Sequence, residues 1–237
     1  MDARVCRRRP FSEVPPFDEG RDGQGELTRM SRHNMKREHM KSTLIALTAV
    51  ASLMALPVLA EEGRPVAGTY NFDPDHSSAR FEYSHMGFSE SHGVVRGITG
   101  KITLDPAEPA KSTVEASFPI SNILTVSPQL DEHLRGKDLF NSADGSSMVT
   151  FKSTKVEPKD GDEAKVTGDL TMNGVTKEVV LEVDLKKAGA NPMSGKPAVG
   201  FDAETEIKRS DFNLGIFVPA VSDEVKIEIS VEGAKAD

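Results

Sequence analysis

Gly168–Leu185 reads GDLTMNGVTKEVVLEVDL, and this stretch decides the fold class. Asn173-Gly174 lies between two runs of strand-like sequence. An Asn-Gly pair suits a two-residue type I′ turn, because both central residues need positive φ. Beyond the turn, Leu181, Val183 and Leu185 alternate with Glu182, Asp184 and Lys186. Alternation with period two puts one set of side chains on a dry face and the other in water. The stretch therefore predicts an antiparallel hairpin with one dry face.

The same rhythm extends in both directions. Phe81, Tyr83 and His85 alternate with polar neighbours, as do Val114, Ala116, Phe118 and Ile120. Phe201, Ala203, Thr205 and Ile207 follow the pattern, and so do Val225, Ile227, Ile229 and Val231. Strands are expected near 66–73, 78–86, 93–104, 112–120, 147–157, 164–173, 175–186, 198–208 and 224–232. Pro74-Asp75-His76 joins the first two, Asp160-Gly161 joins the fifth and sixth, and Lys187–Pro197 reads as a flexible connection. Two segments break the rhythm. Ser127–Gly136 predicts a short helix, with Ser127 as N-cap, Pro128 in the first position, Gly136 as the stop, and Leu130 and Leu134 on one face. Arg209–Asp223 carries Phe212, Leu214, Ile216, Phe217 and Val218, too much apolar surface for a free loop; it should plug or cover something. The expected class is all-β, an up-and-down antiparallel sheet of about eight strands. Pattern alone fits a closed barrel or a sandwich.

The N-terminal part has a different composition. Lys36, Arg37 and Lys41 precede an uncharged run from Ser42 to Ala60, which ends in Val58-Leu59-Ala60 and is followed by Glu61 and Glu62. A basic region, an apolar stretch and a small-residue cut site define a secretory signal peptide. The run is 19 residues long and contains Pro57, which argues against a membrane span. Residues 35–60 are thus expected to be a signal peptide cleaved between Ala60 and Glu61. Residues 1–34 are expected to be a disordered, over-called extension, with the true start between Met30 and Met40. Residues 61–237 form the expected single domain, which holds 19 basic and 30 acidic residues and a formal net charge of −11. That charge speaks against nucleic acid as a partner. The lone cysteine, Cys6, lies outside this domain, so no disulfide or thiol chemistry is expected there.

Candidate chemistry is sparse. His85 falls on the dry parity of its strand, where a hydrogen-bonded core histidine and a ligand-facing group are both open readings. Asp131 and His133 lie two apart on a short helix and point to different sides. The chain has no G-x-S-x-G, no P-loop and no compact metal motif, so an enzyme reading finds no support in the sequence. The dry face itself remains. It contains few aromatics and no Trp, and Ala116, Ala203 and Thr205 take inward positions, which suits a lined tunnel better than a dense core.

Several blocks also carry a resemblance. Tyr70–Ser77, His85–Ser89, Leu130–Phe140, Phe151–Thr154, Gly168–Lys177 and Arg209–Phe212 together resemble the YceI-like family of bacterial periplasmic proteins, in order and over about 66–232. The resemblance implies a lipocalin-like, extended antiparallel barrel with a long hydrophobic tunnel. It implies noncovalent binding of a polyisoprenoid or similar amphiphile, such as a polyprenyl phosphate or an isoprenoid quinone. No other cofactor is expected, and the spacing of the histidines predicts no metal site. Phe81, Tyr83, Phe118, Ile120, Phe151, Leu170, Met172, Leu181, Val183 and Phe201 would line the tunnel. Leu134, Leu139, Phe140, Phe212 and Phe217 would border it, and His85, Asp131, His133 and Arg209 are candidates for its polar end. Asn213 stands where the family commonly has Gly, and Leu139 replaces the first Phe of a Phe-Phe pair. The implied role is a periplasmic carrier, as monomer or homodimer, with transient membrane contact. A structural or stress-protective β-module without a dedicated ligand is the alternative, and a metal-dependent enzyme on a lipid substrate is a third.

Overall fold

Eleven antiparallel strands and one α-helix make up the computed structural model, which describes residues 63–237. The expected extension, signal peptide and Ala60/Glu61 cleavage site lie outside the described residues. The strands are β1 (Gly68–Phe72), β2 (Ser78–His85), β3 (Ser89–Val95), β4 (Thr99–Leu104), β5 (Thr113–Pro119) and β6 (Ile123–Thr125). Helix α1 (Pro128–Arg135) follows, then β7 (Met148–Pro158), β8 (Glu163–Met172), β9 (Val175–Ala190), β10 (Pro197–Lys208) and β11 (Glu224–Lys235). Asn173 and Gly174 both have positive φ, as the Asn-Gly turn requires.

Pairing runs β1-β4-β5-β7-β8-β9-β10-β11, and β11 returns to β1, so the sheet closes into a barrel of eight strands rather than a sandwich. The remaining three strands extend this barrel lengthwise. β11 pairs with β1 through Phe72↔Gly233 and with β2 through Ser78↔Ser230, so both lie end to end along one edge of it. β3 and β4 form a second interrupted strand, and β5 and β6 a third.

The interruptions are stitched together. Asp73 N donates to Glu232 O at 2.9 Å, and the buried Ser77 hydroxyl bonds both the N–H and the carbonyl of Glu232 at 3.3 and 3.4 Å. A side chain thereby fills the ladder position that the backbone has vacated. Ile98 N donates to Ser77 O at 3.1 Å, Arg96 N donates to Asn122 O at 3.1 Å, and Asn122 Nδ2 donates to Arg96 O at 2.8 Å. Three neighbouring strands therefore bend at one level of the barrel. β-bulges at Ser153/Lys155 and Gly200/Phe201 bend the opposite wall.

Several sequence expectations change here. The single strand at 93–104 is two, β3 and β4, because Arg96–Ile98 leaves the ladder to meet Ser77 and Asn122. The segment Pro74–His76 is a break within one long strand, since β1 and β2 share β11 instead of pairing together. The flexible connection shrinks to 191–196, because β9 continues to Ala190 against β10. Ile120 leaves the strand pattern for a one-turn 3-10 helix. Ser127 takes the N-cap position, but its hydroxyl donates to Gln129 Oε1 at 2.9 Å rather than to the helix backbone. Arg209–Phe212 forms another 3-10 turn, and Phe212 and Leu214 are buried in the main core cluster. That loop covers one end of the barrel, as its apolar content suggested. Among the described residues no helix is long and apolar enough to cross a membrane.

Candidate functional site

The dry faces of all eight barrel strands do not meet in the middle. They enclose a continuous cavity of about 810 Å³. Its wall is built from inward parity: Phe201, Ala203, Thr205 and Ile207 from β10, and Val225, Ile227, Ile229 and Val231 from β11. Small residues keep it open. Ala203 contributes only a methyl, and the Thr205 hydroxyl donates to Val180 O at 2.7 Å, so its polar atom is satisfied.

Aromatic rings are fitted to this wall by glycines on the next strand. Phe81 on β2 faces Gly93 on β3, and a Cβ at Gly93 would lie 2.3 Å from the Phe81 Cζ. Phe151 on β7 meets Gly168 on β8, where a Cβ would lie 2.5 Å from its Cζ. Each ring occupies the space of the missing side chain and so lies along the wall instead of across the cavity. Phe81 and Tyr83 stack in parallel, with centroids 6.5 Å apart.

Charged and imidazole groups are confined to the two ends. At the end near α1, His85, His133 and Arg209 reach the wall beside Leu130, Leu134, Leu139, Phe140 and Phe217. His133 meets Phe217 edge to face at 6.2 Å. Arg209 spends its donors on backbone: Nε on Ser222 O at 2.9 Å, Nη1 on Leu214 O at 2.7 Å and Ile216 O at 3.3 Å, and Nη2 on Val221 O at 3.0 Å. Burial pulls its pKa below the usual guanidinium value, offset by the charge of Asp223, yet a guanidinium stays cationic at any physiological pH. It thus organises the 209–223 loop and leaves a fixed positive charge beside the cavity. Asp223 is held below the usual carboxylate range chiefly by the Ser210 hydroxyl, which donates to it at 2.6 Å. At the far end the wall takes in Arg64, Asp105, Lys159 and Asp162 from loops.

Of the residues singled out in the sequence, Phe81, Tyr83, His85, Phe118, His133, Leu134, Leu139 and Phe140 border the cavity. So do Phe151, Leu170, Met172, Leu181, Val183, Phe201, Arg209 and Phe217. Three lie off its wall. Ile120 and Phe212 are buried in the core cluster. Asp131 accepts from Thr125 N at 2.6 Å and Thr125 Oγ1 at 2.7 Å, which ties α1 to the end of β6. It makes no pair with Arg209, whose donors go to the 209–223 loop. The inward row of β11 was not among those residues, although its alternation matches that of β10. The far-end loop residues carry no periodic signal that could have marked them.

Among the described residues, no group of three or more His, Cys, Asp or Glu side chains could hold a metal ion. The arrangement is a long apolar container with polar ends. Residues 70–233 match the model of the YceI-like domain. The chain belongs to the YceI-like family. It is 40% identical over 198 residues to protein YceI of Escherichia coli O157:H7, covering 83% of this chain and 99% of that one. Among solved structures it resembles BcnA of Burkholderia cenocepacia, with a TM-score of 0.58 and 25% identity over 66% of this chain and 95% of that one. The YceI protein of Campylobacter jejuni gives a TM-score of 0.56 and 28% identity over 65% and 90% of the two chains. A polyisoprenoid-binding domain from Saccharophagus degradans shares the fold, with a TM-score of 0.52 at 15% identity over 70% and 98%.

Proposed function

We propose that this YceI-like protein is a periplasmic carrier that holds a polyisoprenoid or similar amphiphile, a polyprenyl phosphate or an isoprenoid quinone, noncovalently in the barrel. One observation carries the reading: the continuous apolar cavity of about 810 Å³ with ionisable groups only at its ends. That size falls within the ~300–1,000 Å³ of small-molecule sites. A cavity lined so extensively by hydrocarbon suits a tail, and a charged collar at an end suits a head group. The polyisoprenoid-binding description of the Saccharophagus degradans domain, which shares the fold, supports the same class of ligand. The apolar run before Ala60 supports export.

Physics gives the carrier a purpose. Each CH₂ of a lipid chain gains about 0.8 kcal/mol by leaving water for an apolar site. A long isoprenoid is therefore almost absent from free solution, and crosses an aqueous gap only inside a protein. The gross transfer energy does not all appear as affinity, since noncovalent binding saturates near about −18 to −21 kcal/mol. Displacement of a fluorescent lipid from the purified protein tests the proposal. An isoprenoid quinone or a polyprenyl phosphate should displace the probe, and Ala203→Phe, which fills the cavity from β10, should reduce its uptake. Failure of both lipids to compete would remove the reading.

A further inference from the structure

Two loops meet on one side of the cavity end near α1. Residues 86–88 turn between β2 and β3, and residues 215–221 lead toward β11. Met86 N donates to Ala220 O at 2.7 Å, Ser222 N donates to Ser84 O at 2.9 Å, and Ser84 N donates to Ser222 Oγ at 3.0 Å. The loops thus form one lip. Its tip is apolar and stands in water: Phe88 is 91% exposed, Met86 and Phe217 are each 54% exposed, and Val218 is 39% exposed. Neither Ser84–Ser89 nor Gly215–Ser222 contains an Asp, Glu, Lys or Arg. Met86 and Phe217 also line the cavity, so the lip continues its apolar wall outward. Both hold positive φ, at 54° and 69°, a conformation that bulky side chains rarely adopt. The fold holds both residues in the lip despite that cost.

We propose that this lip inserts into the acyl region of a phospholipid bilayer, so that the cavity opens directly into the membrane. This rests on the carrier reading, which supplies the lipid that would pass. Three observations favour a bilayer over another occupant. The lip and the cavity form one continuous apolar surface. The four side chains expose on the order of 400 Å², taking about 200 Å² for a full aromatic side chain, which is half the ~800 Å² per partner of a stable protein interface. The remaining rim at α1 sets Asp131, Glu132 and Asp138 against Arg135 and Lys137, and the domain as a whole is acidic. Attraction to anionic head groups therefore supplies nothing, and the docking is apolar and insensitive to salt.

The chain lacks tryptophan, so Phe88→Trp provides a single reporter. With neutral phosphatidylcholine vesicles its emission should shift to the blue, and bromine-labelled acyl chains should quench it, at low and high salt alike. The double variant F88S/V218S changes two residues that do not line the cavity. It should lower co-flotation with the vesicles by about tenfold or more, while displacement of a fluorescent lipid in solution stays unchanged. Absence of quenching, or equal flotation of the double variant and the parent, would overturn the proposal. So would a lip-dependent dimer in sedimentation without vesicle binding, which would assign the surface to a second copy. Failure of the carrier reading shows separately, as loss of lipid displacement in solution.

Discussion

Asn213 shows how one side chain reconciles a departure from the family pattern with the backbone it must serve. It ends the 3-10 turn of Arg209–Phe212 with φ 58° and ψ 26°, the left-handed region. Gly enters that region freely, and Asn is among the few other residues that visit it routinely. Asn213→Gly should leave thermal stability unchanged or slightly higher, whereas Asn213→Ala should cost about 1 kcal/mol in a denaturant titration. His76 offers a test in pH. Its ring bonds Asp73 at 2.8 Å, and that bond, with the charges of Asp73 and Glu232, raises its pKa above 6.5. The stabilisation is complete below about pH 6.5 and is lost as pH rises through the raised value. The same bond lowers the Asp73 pKa below 3.8, so its contribution is present above that value and lost as pH falls through the depressed one. The Tm advantage of the parent over His76→Asn should therefore be largest near pH 5–6 and shrink toward pH 8.

Among the elements, the strands announce themselves and their interruptions do not. Period two in β8 to β11 fixes which residues face inward, because a one-residue slip would turn every side chain to the other face. The break at Asp73–Ser77 depends on a serine hydroxyl replacing a ladder bond to Glu232, 155 positions away in the chain. No local pattern encodes that contact. The site is legible to the same depth: strand residues such as Phe201 and Leu181 follow parity and reach the cavity, while Asp131 on α1 and Phe212 in a 3-10 turn lie off its wall, placed by individual contacts instead of a strand period. A glycine inside a strand generally weakens it, yet Gly93 and Gly168 make room for Phe81 and Phe151. Gly168→Ala would bring a Cβ within 2.5 Å of the Phe151 ring and 2.6 Å of Lys152 O. We expect it to cost about 1–3 kcal/mol by overpacking and to lower lipid uptake as the ring is pushed inward. Thermal unfolding and displacement titration check the two halves of that prediction.

At the scale of the whole molecule, function follows from a volume that the sheet encloses and leaves unfilled. Closure needs β1 to find β11, the first and last strands, through Tyr70↔Lys235 and its neighbours. Sequence alternation predicts a dry face but not whether two dry faces meet or curve around a space; that depends on closure and on the bulges and breaks that bend the strands. The family resemblance supplied the barrel where periodicity left a choice, and the pairing of β1 with β11 now shows it. The central claim is that a lipid occupies this space. Native mass spectrometry of the protein, purified from its native host without detergent, tests that most directly. The account predicts a discrete added mass that organic extraction identifies as an isoprenoid lipid. Protein recovered only at the mass of its polypeptide, and still unloaded after incubation with isoprenoid quinone or polyprenyl phosphate, would contradict it.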